Sequence, residues 1–259
     1  MEAKASVSAV EEGLTAGELA DIDRDLAGAP AARILRPRDA ATVLILDRSG
    51  GEMKVLMGRR HHGHAFMPGK FVFPGGRADP GDGKVPTCRE LDPADQAKLL
   101  AGMGGRATPR RARALALAAI RETYEEAGLL IGRKTTFAHH HGDWQAFGDH
   151  GVAPDLTQLR YVARATTPPG GVRRFDTRFF ATFREAIAAS LPQGTGPSGE
   201  LEDLHWLTFG EAAALDIPSI TRTILNDVAA RLSTDPELRP GGQIVQYAMR
   251  HGRMTRQTI

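Results

Sequence analysis

Short apolar runs rich in β-branched and aromatic residues mark the candidate strands of this chain. Two of them, 41–47 and 53–57, are separated by Arg-Ser-Gly-Gly. Apolar runs joined by a short glycine-containing segment are typical of a β-hairpin. The period-two pattern and the flanking turn residues predict further strands at 71–73, 158–166, 175–183 and 204–207.

Helices are predicted where a capping residue precedes a helical pattern. Asp92 and Thr108 are each followed by a proline, which combines a side-chain N-cap with the residue favoured at the first helical position. The first cap predicts a helix over 93–101, and the second a longer helix that ends at Ala127, before a glycine. Capping and periodicity predict two more helices, at 209–215 and 219–232.

The order of these elements indicates the fold class. Strands and helices are mixed without the regular alternation of a βαβ protein, which favours an α+β sandwich. Residues 1–32 are polar and rich in alanine, and we interpret them as an N-terminal extension, either a loose helix or a flexible segment. No linker is evident in 33–259, which we expect to form one domain.

Composition narrows the class of protein. Basic and acidic residues number 33 and 31 and are interspersed, with a net charge of +2, so we expect no nucleic-acid partner. No apolar run approaches the roughly 20 residues of a bilayer span, and no secretory signal pattern is evident. Cys88 is the single cysteine, which excludes an intrachain disulfide and is consistent with the cytoplasmic location that we expect.

The most informative segment is 121–129, Arg-Glu-Thr-Tyr-Glu-Glu-Ala-Gly-Leu. On a helix, Glu122, Glu125 and Glu126 share one face and repel one another. We therefore expect this face to be solvated or neutralised by cations, while the opposite, apolar face packs on the core. Hard divalent cations prefer oxygen ligands of this kind, which points to a metal-dependent enzyme that acts on phosphates.

Together with the Phe-Pro-Gly-Gly turn at 73–76, this segment resembles the signature of the Nudix hydrolase family. The signature reads Gly-x5-Glu-x7-Arg-Glu-U-x-Glu-Glu-x-Gly-U, where U is bulky and apolar. The matching residues are Gly76, Arg121, Glu122, Glu125, Glu126, Gly128 and Leu129. The resemblance implies a Nudix-type α/β/α sandwich with a mixed sheet.

The chain departs from the signature in three ways. Asp82 stands where the first glutamate belongs, and Thr123 takes the first apolar position. The spacer 83–120 has 38 residues instead of seven, an insertion of 31 residues. We place the insertion at about 83–108, where a lid, a substrate wall and a dimer contact are all open alternatives.

The split signature also resembles one branch of the family, which contains the peroxisomal coenzyme A diphosphatase. The segments AFMPGKFVFPGG and TPPGGVRRFDTRFF around the signature carry this resemblance. Another CoA-hydrolase signature of the family ends in Gly-x3-Phe-Pro-Gly-Gly, which 69–76 fits, although Ala65 stands where that signature expects an arginine. The resemblance implies hydrolysis of a nucleoside diphosphate linked to another group, with CoA or acyl-CoA favoured. ADP-ribose, NADH and dinucleoside polyphosphates are alternative substrates.

The family resemblance also assigns roles to residues. Mg²⁺ or Mn²⁺ would be held by Glu122, Glu125 and Glu126, with the carbonyl of Gly75 or Gly76 as a further ligand. Arg121 would orient a glutamate through a charge-assisted hydrogen bond. The candidates for the general base are Glu200 and Glu202 outside the signature, and Glu125 within it.

Arginines near two predicted strands are candidates for binding a nucleotide-type substrate. Arg59 and Arg60 follow the second strand, and Arg173, Arg174 and Arg178 cluster near 175–183. Arginine binds phosphate in a bidentate manner, and the 3′-phosphate of CoA would be an additional phosphate for such a cluster to bind. The glycine loop at Gly75 would let the backbone approach the substrate.

Two further possibilities stay open at this level. The chain could be a non-catalytic Nudix module that binds a nucleotide and regulates a partner, although a binder has no need of three unpaired carboxylates. A homodimer is also compatible with the sequence.

Overall fold

The computed structural model describes residues 35–63, 67–139, 142–169, 173–250 and 253–259. The proposed N-terminal extension, 1–32, lies outside these ranges. Within them, none of the helices has both the length and the apolar character that crossing a bilayer requires.

The described residues form strands that mostly belong to one large sheet. They are β1 (Arg38–Asp47), β2 (Lys54–Arg60), β3 (Phe71–Val72), β4 (Gly75–Arg77), β5 (Leu129–Ile131), β6 (Arg133–Lys134), β7 (Val152–Ala153), β8 (Arg160–Thr166), β9 (Phe175–Phe183), β10 (Ile187–Ser190), β11 (Leu201–Thr208), β12 (Val245–Arg250) and β13 (Arg253–Thr258). The nine-stranded sheet has the order β11-β2-β1-β9-β8-β12-β13, with β3 beside β2 and β4 beside β1. The pairs β1–β9 and β8–β12 are parallel and the others antiparallel, so the sheet is mixed.

Helices cover both faces of this sheet. They are α1 (Pro93–Ala101), α2 (Pro109–Ala127), α3 (Gln145–Asp149), α4 (Phe209–Ala214) and α5 (Ser219–Thr234). Short 3-10 turns lie at Asp82–Lys84, Gly104–Arg106, Gly142–Trp144, Leu156–Gln158 and Arg184–Ala186. Successive residues of β1 face opposite sides: Val43 belongs to the core under α2, and Leu44 to the core under α5. The α+β class with a mixed sheet is therefore confirmed.

The predicted helix caps are also confirmed. Asp92 accepts a hydrogen bond from the Ala94 N–H at 2.9 Å, and Thr108 accepts one from the Arg111 N–H at 3.2 Å. Gly128 ends α2 with a φ of +70°, a left-handed conformation that glycine adopts without steric cost. The capping residues thus fix where the signature helix begins and ends.

Sequence patterns did not predict the C-terminal hairpin, β12–β13. Its apolar positions are sparse, and arginines occupy both sides of its turn, at Arg250 and Arg253. The hairpin is stabilised by pairing with β8, where Val245 lies opposite Ala163. Such non-local pairing leaves only a weak trace in a local hydrophobic pattern.

The acidic face of the signature helix is only partly solvated: Glu122 and Glu125 are partly exposed, whereas Glu126 is buried. Arg121, Thr123 and Glu126 of α2 are all at most 4% exposed. The strand β4 and the 3-10 turn Asp82–Lys84 pack against this side of the helix. Glu126 therefore lies in the protein interior, where neighbouring groups must compensate its charge, and Glu122 and Glu125 lie at the edge of that interior.

The insertion 83–108 is packed against the body of the fold. Its helix α1 contacts α2, and Lys98 donates hydrogen bonds to the carbonyls of Gly242 at 2.9 Å and Ile259 at 3.0 Å. The Asp95 carboxylate, fully buried, accepts a hydrogen bond from the Gly241 N–H. The insertion thus ties the signature helix to the C-terminal segment.

Candidate active site

Two glycines bring the sheet close to the acidic end of α2. In strand β4, Gly76 pairs with Ala41 and Gly75 with Thr42 of β1. A Cβ atom on Gly76 would collide with the Glu122 carboxylate, and one on Gly75 would collide with Thr42. The absence of side chains at these two positions is what lets the glycine strand lie against the glutamates.

Arg121 is the hub of the buried polar network. Its guanidinium donates hydrogen bonds to Glu122 and Glu125, both at 2.9 Å, and to Asp82 at 3.0 Å. It also donates to the Arg77 carbonyl at 2.9 Å. Burial alone would lower the pKa of Arg121, but its hydrogen bond to Asp82 and the adjacent carboxylates raise it above its ordinary value. Arg121 therefore bonds to two of the signature glutamates, where the sequence suggested a contact with one.

Asp82 takes the place of the glutamate that the signature expects. It is 2% exposed and binds Arg121 through both carboxylate oxygens, at 3.0 and 3.3 Å. The Asp79 N–H donates to the same carboxylate at 2.8 Å. The shorter side chain is compensated by the 3-10 turn, which brings its own backbone close to α2.

Glu126 is the most deeply buried of the three glutamates, at 2% exposure. Its carboxylate accepts a hydrogen bond from the Gly75 N–H at 2.8 Å. Burial nevertheless raises its pKa to about 8. The carboxylates of Glu122 and Glu126 repel one another at this depth, so a nearby cation would stabilise both.

Burial also raises the pKa of Glu122 to about 7, although the Arg121 charge acts in the opposite direction. The pKa of Glu125 is raised as well, again by burial in the first place, with Arg121 opposing the shift. Three carboxylates with raised pKa values within one turn and a half of helix form a site that favours positive charge.

The donor set fits a hard divalent cation. Within the described ranges, no three acidic, histidine or cysteine side chains converge as a ready-made metal cage. Magnesium does not need such a cage, because it keeps waters and substrate oxygens among its ligands and takes only one or two carboxylates. Glu122 and Glu126 both line an open cleft beside Gly75 and Gly76, where those additional ligands can enter.

This cleft has a volume of about 900 Å³, within the range of ligand sites in proteins. Acidic groups lie at its α2 end, and a basic rim lies around it. The arginines that line it are Arg36, Arg38, Arg60, Arg77, Arg173 and Arg174. None of the described lining residues comes from 83–108. Among the described residues, the insertion therefore contributes neither a lid nor a wall to this cleft.

The predicted substrate-binding arginines divide into two groups. Arg60 and Arg174 line the cleft, whereas Arg59 and Arg178 do not. Arg59 turns to the neighbouring strand and pairs with Glu202 at 3.1 Å. Neighbouring residues of a strand point to opposite faces, and for this reason only one of the two adjacent arginines reaches the site.

Arg178 is the clearest departure from the predicted set. It is 1% exposed and pairs with Asp176 at 2.8 Å. Burial lowers its pKa. Arg174 reaches the cleft but also donates to the Thr167 and Leu35 carbonyls, at 3.0 and 2.6 Å. Arg178 is therefore a structural residue, and Arg174 also fixes the backbone at the rim.

The structure separates the two candidates for an external general base. Glu200 lines the cleft and lies 3.4 Å from Arg60, whereas Glu202 is not among the lining residues. The loop before Glu200 caps α2: the Gly196 N–H donates to the Glu126 carbonyl at 3.1 Å, and the Ser198 N–H to the Glu125 carbonyl at 2.9 Å. Glu200 is thus held in place by the same helix that carries the signature glutamates.

Sequence reasoning missed two parts of this site. Arg36, Arg38 and Arg77 line the cleft. The only sequence signal for Arg36 and Arg38 was that basic residues cluster just before the first predicted strand. The loop that caps α2 was also missed. Its Gly-Thr-Gly-Pro-Ser-Gly sequence at 194–199 is typical of a segment in close contact with other backbone.

Comparison with solved structures identifies the fold. A Nudix hydrolase from Alicyclobacillus acidocaldarius is 29% identical, with a TM-score of 0.53 over 75% of this chain and 92% of that one. A Nudix hydrolase from M. smegmatis is 18% identical, with a TM-score of 0.44 over 82% of this chain and 96% of that one. The Nudix domain of Shewanella oneidensis NrtR, complexed with ADP ribose, is 10% identical, with a TM-score of 0.43 over 76% and 90% of the two chains.

The last two likenesses are too distant to carry further argument. No family model matches the sequence, and no curated protein matches it either. The bacterial structure of 29% identity and the geometry of the glycine strand and glutamate helix agree with each other. The chain therefore has the fold of the Nudix hydrolases, and this likeness supports a hydrolase that acts on pyrophosphate bonds.

Proposed function

We propose that this enzyme hydrolyses a nucleoside diphosphate linked to another group, with Mg²⁺ or Mn²⁺ as its cofactor. The favoured substrate is CoA or an acyl-CoA, which gives 3′,5′-ADP and (acyl-)4′-phosphopantetheine. The single observation that carries the proposal is the cleft in which buried glutamates face a rim of arginines. A diphosphate diester needs both parts, since its charge must be neutralised before an oxygen nucleophile can approach.

Each residue of the cleft has a distinct part in this reaction. Glu122 and Glu126 would hold the divalent cation, with oxygen atoms of the glycine strand nearby. Bound there, the cation supplies neutralisation of the diphosphate and a lowered pKa of a bound water. Arg121 keeps Glu122 and Glu125 in a fixed orientation through its two hydrogen bonds.

Glu200 is our candidate for the general base. It lines the cleft together with Glu122 and Glu126, and its charge contributes to the raised pKa values of both. A base in this position would take a proton from the attacking water. Glu125 is the second candidate, but it is not among the lining residues of the cleft.

The preference for CoA is supported by the extent of the basic rim. Six arginines line the cleft, and guanidinium groups suit bidentate contacts with phosphate. A diphosphate has two phosphoryl groups, whereas CoA adds a 3′-phosphate. Arg36, Arg38 and Arg173 belong to the segments at the start of β1 and before β9, not to the glycine strand or α2, and are our candidates for that additional phosphate.

Other substrates and roles remain as alternatives to test. ADP-ribose, NADH and dinucleoside polyphosphates share the same diphosphate chemistry. A non-catalytic nucleotide-binding regulator would keep the rim but would have no use for three carboxylates of raised pKa. The cytoplasmic location and the homodimer stay predictions of the sequence.

A substrate screen tests the proposal. The protein is incubated with Mg²⁺ or Mn²⁺ and with CoA, acyl-CoAs, ADP-ribose, NADH, diadenosine polyphosphates and nucleoside triphosphates, and products are separated by liquid chromatography. Release of 3′,5′-ADP and 4′-phosphopantetheine supports the CoA assignment. Turnover of ADP-ribose alone would move the assignment to that substrate, and no turnover at all would overturn the proposed activity.

A further inference from the structure

A second, smaller pocket opens directly off the cleft. It has a volume of about 180 Å³, and it shares Thr42, Arg60, Gly75, Phe175 and Thr177 with the cleft. Gly75 is the residue whose N–H donates to Glu126, so the junction reaches the glutamate end, where the diphosphate would bind. A group that enters this pocket would therefore be attached within a few bonds of the diphosphate.

Most of the pocket wall is apolar. Phe73, Phe179, Tyr247 and Met254 contribute to it and are each at most 7% exposed. Among the described residues that line the pocket, Arg60 is the only charged one, and it lies where the pocket meets the cleft. A hydrophobic wall of this kind favours a hydrocarbon group over a polar one.

The polar end of Tyr247 is occupied elsewhere. Its hydroxyl donates a hydrogen bond to Asp227 and accepts one from Arg256 at 3.1 Å. The ring is 1% exposed, so the residue contributes an aromatic surface to the pocket while its oxygen is bonded behind it. The two partners are on α5 and β13, which fixes the C-terminal hairpin as one wall.

The size of the pocket limits what fits. Water occupies about 30 Å³ per molecule in the liquid, so 180 Å³ corresponds to roughly six water molecules. A short branched aliphatic group fits this volume. A ribose would place several hydroxyl groups against a wall that is mainly apolar, which is unfavourable unless partners compensate them. Five threonines also line the pocket, but the hydroxyls of two of them, Thr166 and Thr167, already bond to Asp176 and to the Phe175 N–H.

We propose that this side pocket is a specificity subsite for a small branched aliphatic group next to the diphosphate, of the kind that the pantetheine half of CoA carries. The inference rests on the proposed function, because the subsite binds the part of the substrate that is attached to one of the two phosphates of the diphosphate. It makes the C-terminal hairpin and the start of α5 part of the substrate site. Substrates whose second half begins with a sugar are disfavoured at the same position.

Binding of two phosphate monoesters tests the subsite without any need for turnover. Isothermal titration calorimetry with 4′-phosphopantetheine and with ribose 5-phosphate, in the presence of Mg²⁺, compares an aliphatic with a sugar neighbour of the phosphate. The expected result is a Kd at least tenfold lower for 4′-phosphopantetheine. Equal Kd values for the two ligands would overturn the inference.

Variants locate the preference in the pocket. Ala165 lines it from β8, and Ala165→Leu would fill part of its volume. We expect the Kd for 4′-phosphopantetheine to rise at least tenfold, while the Kd for ribose 5-phosphate changes less than twofold. Ala101→Leu, an equal increase in size at an exposed position of α1, should leave both unchanged.

A second variant tests the subsite independently, in case Ala165→Leu does not fold. Ile220 lines the pocket from α5 and is only partly buried, so Ile220→Thr makes the wall more polar by exchanging an ethyl group for a hydroxyl, without adding bulk. It should also reduce the preference for the aliphatic ligand. Equal effects of these variants on both ligands, or no effect on either, would overturn the subsite. Failure of the proposed function is read separately, as lack of turnover of any diphosphate by the wild-type enzyme.

Discussion

Asp82 and Arg121 form a buried ion pair, 3.0 Å apart at the closest atoms, across 39 positions of sequence. The insertion lies between them in the chain, yet the pair joins the glycine loop to the signature helix. Arg121 in turn holds Glu122 and Glu125. The 31 additional residues therefore change the connection between the two halves of the signature but not their contact.

We expect Asp82→Asn to lower the free energy of unfolding by about 3 kcal/mol, because removal of one partner leaves a buried charge poorly compensated. Chemical denaturation checks this value. Asp216→Asn is the matched control, since Asp216 pairs with Lys70 while its side chain is 76% exposed, and such surface pairs contribute about 1 kcal/mol or less. Equal losses in the two variants would contradict the role of Asp82.

Gly76→Ala should reduce kcat/KM at least about 100-fold, because its Cβ would displace the Glu122 carboxylate. Gly81→Ala is the control: no atom lies within 4 Å of a Cβ at that position, and its φ of −72° suits alanine. That change should leave activity intact and stabilise the fold by up to about 1 kcal/mol. Steady-state kinetics and thermal melts measure both effects, and an active Gly76→Ala enzyme would refute the close approach.

The pH dependence of stability should reveal the buried glutamates. Burial raises the pKa of Glu126 from 4.5 to about 8. An acid whose pKa is higher in the folded than in the unfolded state stabilises the fold most below pH 4.5 and loses this contribution as pH rises towards 8. In EDTA we therefore expect the thermal midpoint to fall between pH 6 and 8.5.

The variant Glu126→Gln isolates this effect, because glutamine does not titrate. Its thermal midpoint should fall less over the same pH range than that of the wild type. Mg²⁺ should also reduce the wild-type slope, because a cation favours the ionised carboxylates. A wild-type midpoint that rises with pH in EDTA, while that of the variant does not, would reverse the sign and contradict the burial argument.

Glu200 and Glu202 make a matched pair for locating the general base. Glu200→Gln should lower kcat by roughly 100-fold or more. Glu202→Gln should leave kcat within about twofold, because Glu202 lies outside the cleft and pairs with Arg59. A larger loss for Glu202→Gln than for Glu200→Gln would reverse this assignment.

Local signals allowed much of this architecture to be predicted from the sequence. Thr108 and Gly128 marked both ends of the signature helix, because capping residues act within a few positions of the backbone they satisfy. The spacing of Glu122, Glu125 and Glu126 identified the chemistry of the site. These features depend on neighbours in sequence, so a pattern is enough to find them.

Long-range packing explains what sequence patterns missed. Glu126 is covered by the glycine strand, whose Gly75 N–H, 51 positions away, bonds to its carboxylate. Arg178 is enclosed by partners that only the folded sheet brings close, Asp39 and Asp176. A hydrophobic pattern predicts which face of a helix is apolar but not what covers the polar face. The C-terminal hairpin likewise depends on β8 as its neighbour.

Hydrolysis of CoA followed by phosphorus NMR tests the central claim most directly, with wild type and Glu126→Gln compared in Mg²⁺, Mn²⁺ and EDTA. We expect the diphosphate resonances to be replaced by those of 3′,5′-ADP and 4′-phosphopantetheine only for the wild type with a divalent cation. Equal turnover in EDTA, or full activity of the Glu126→Gln enzyme, would contradict a metal site built on the buried glutamates.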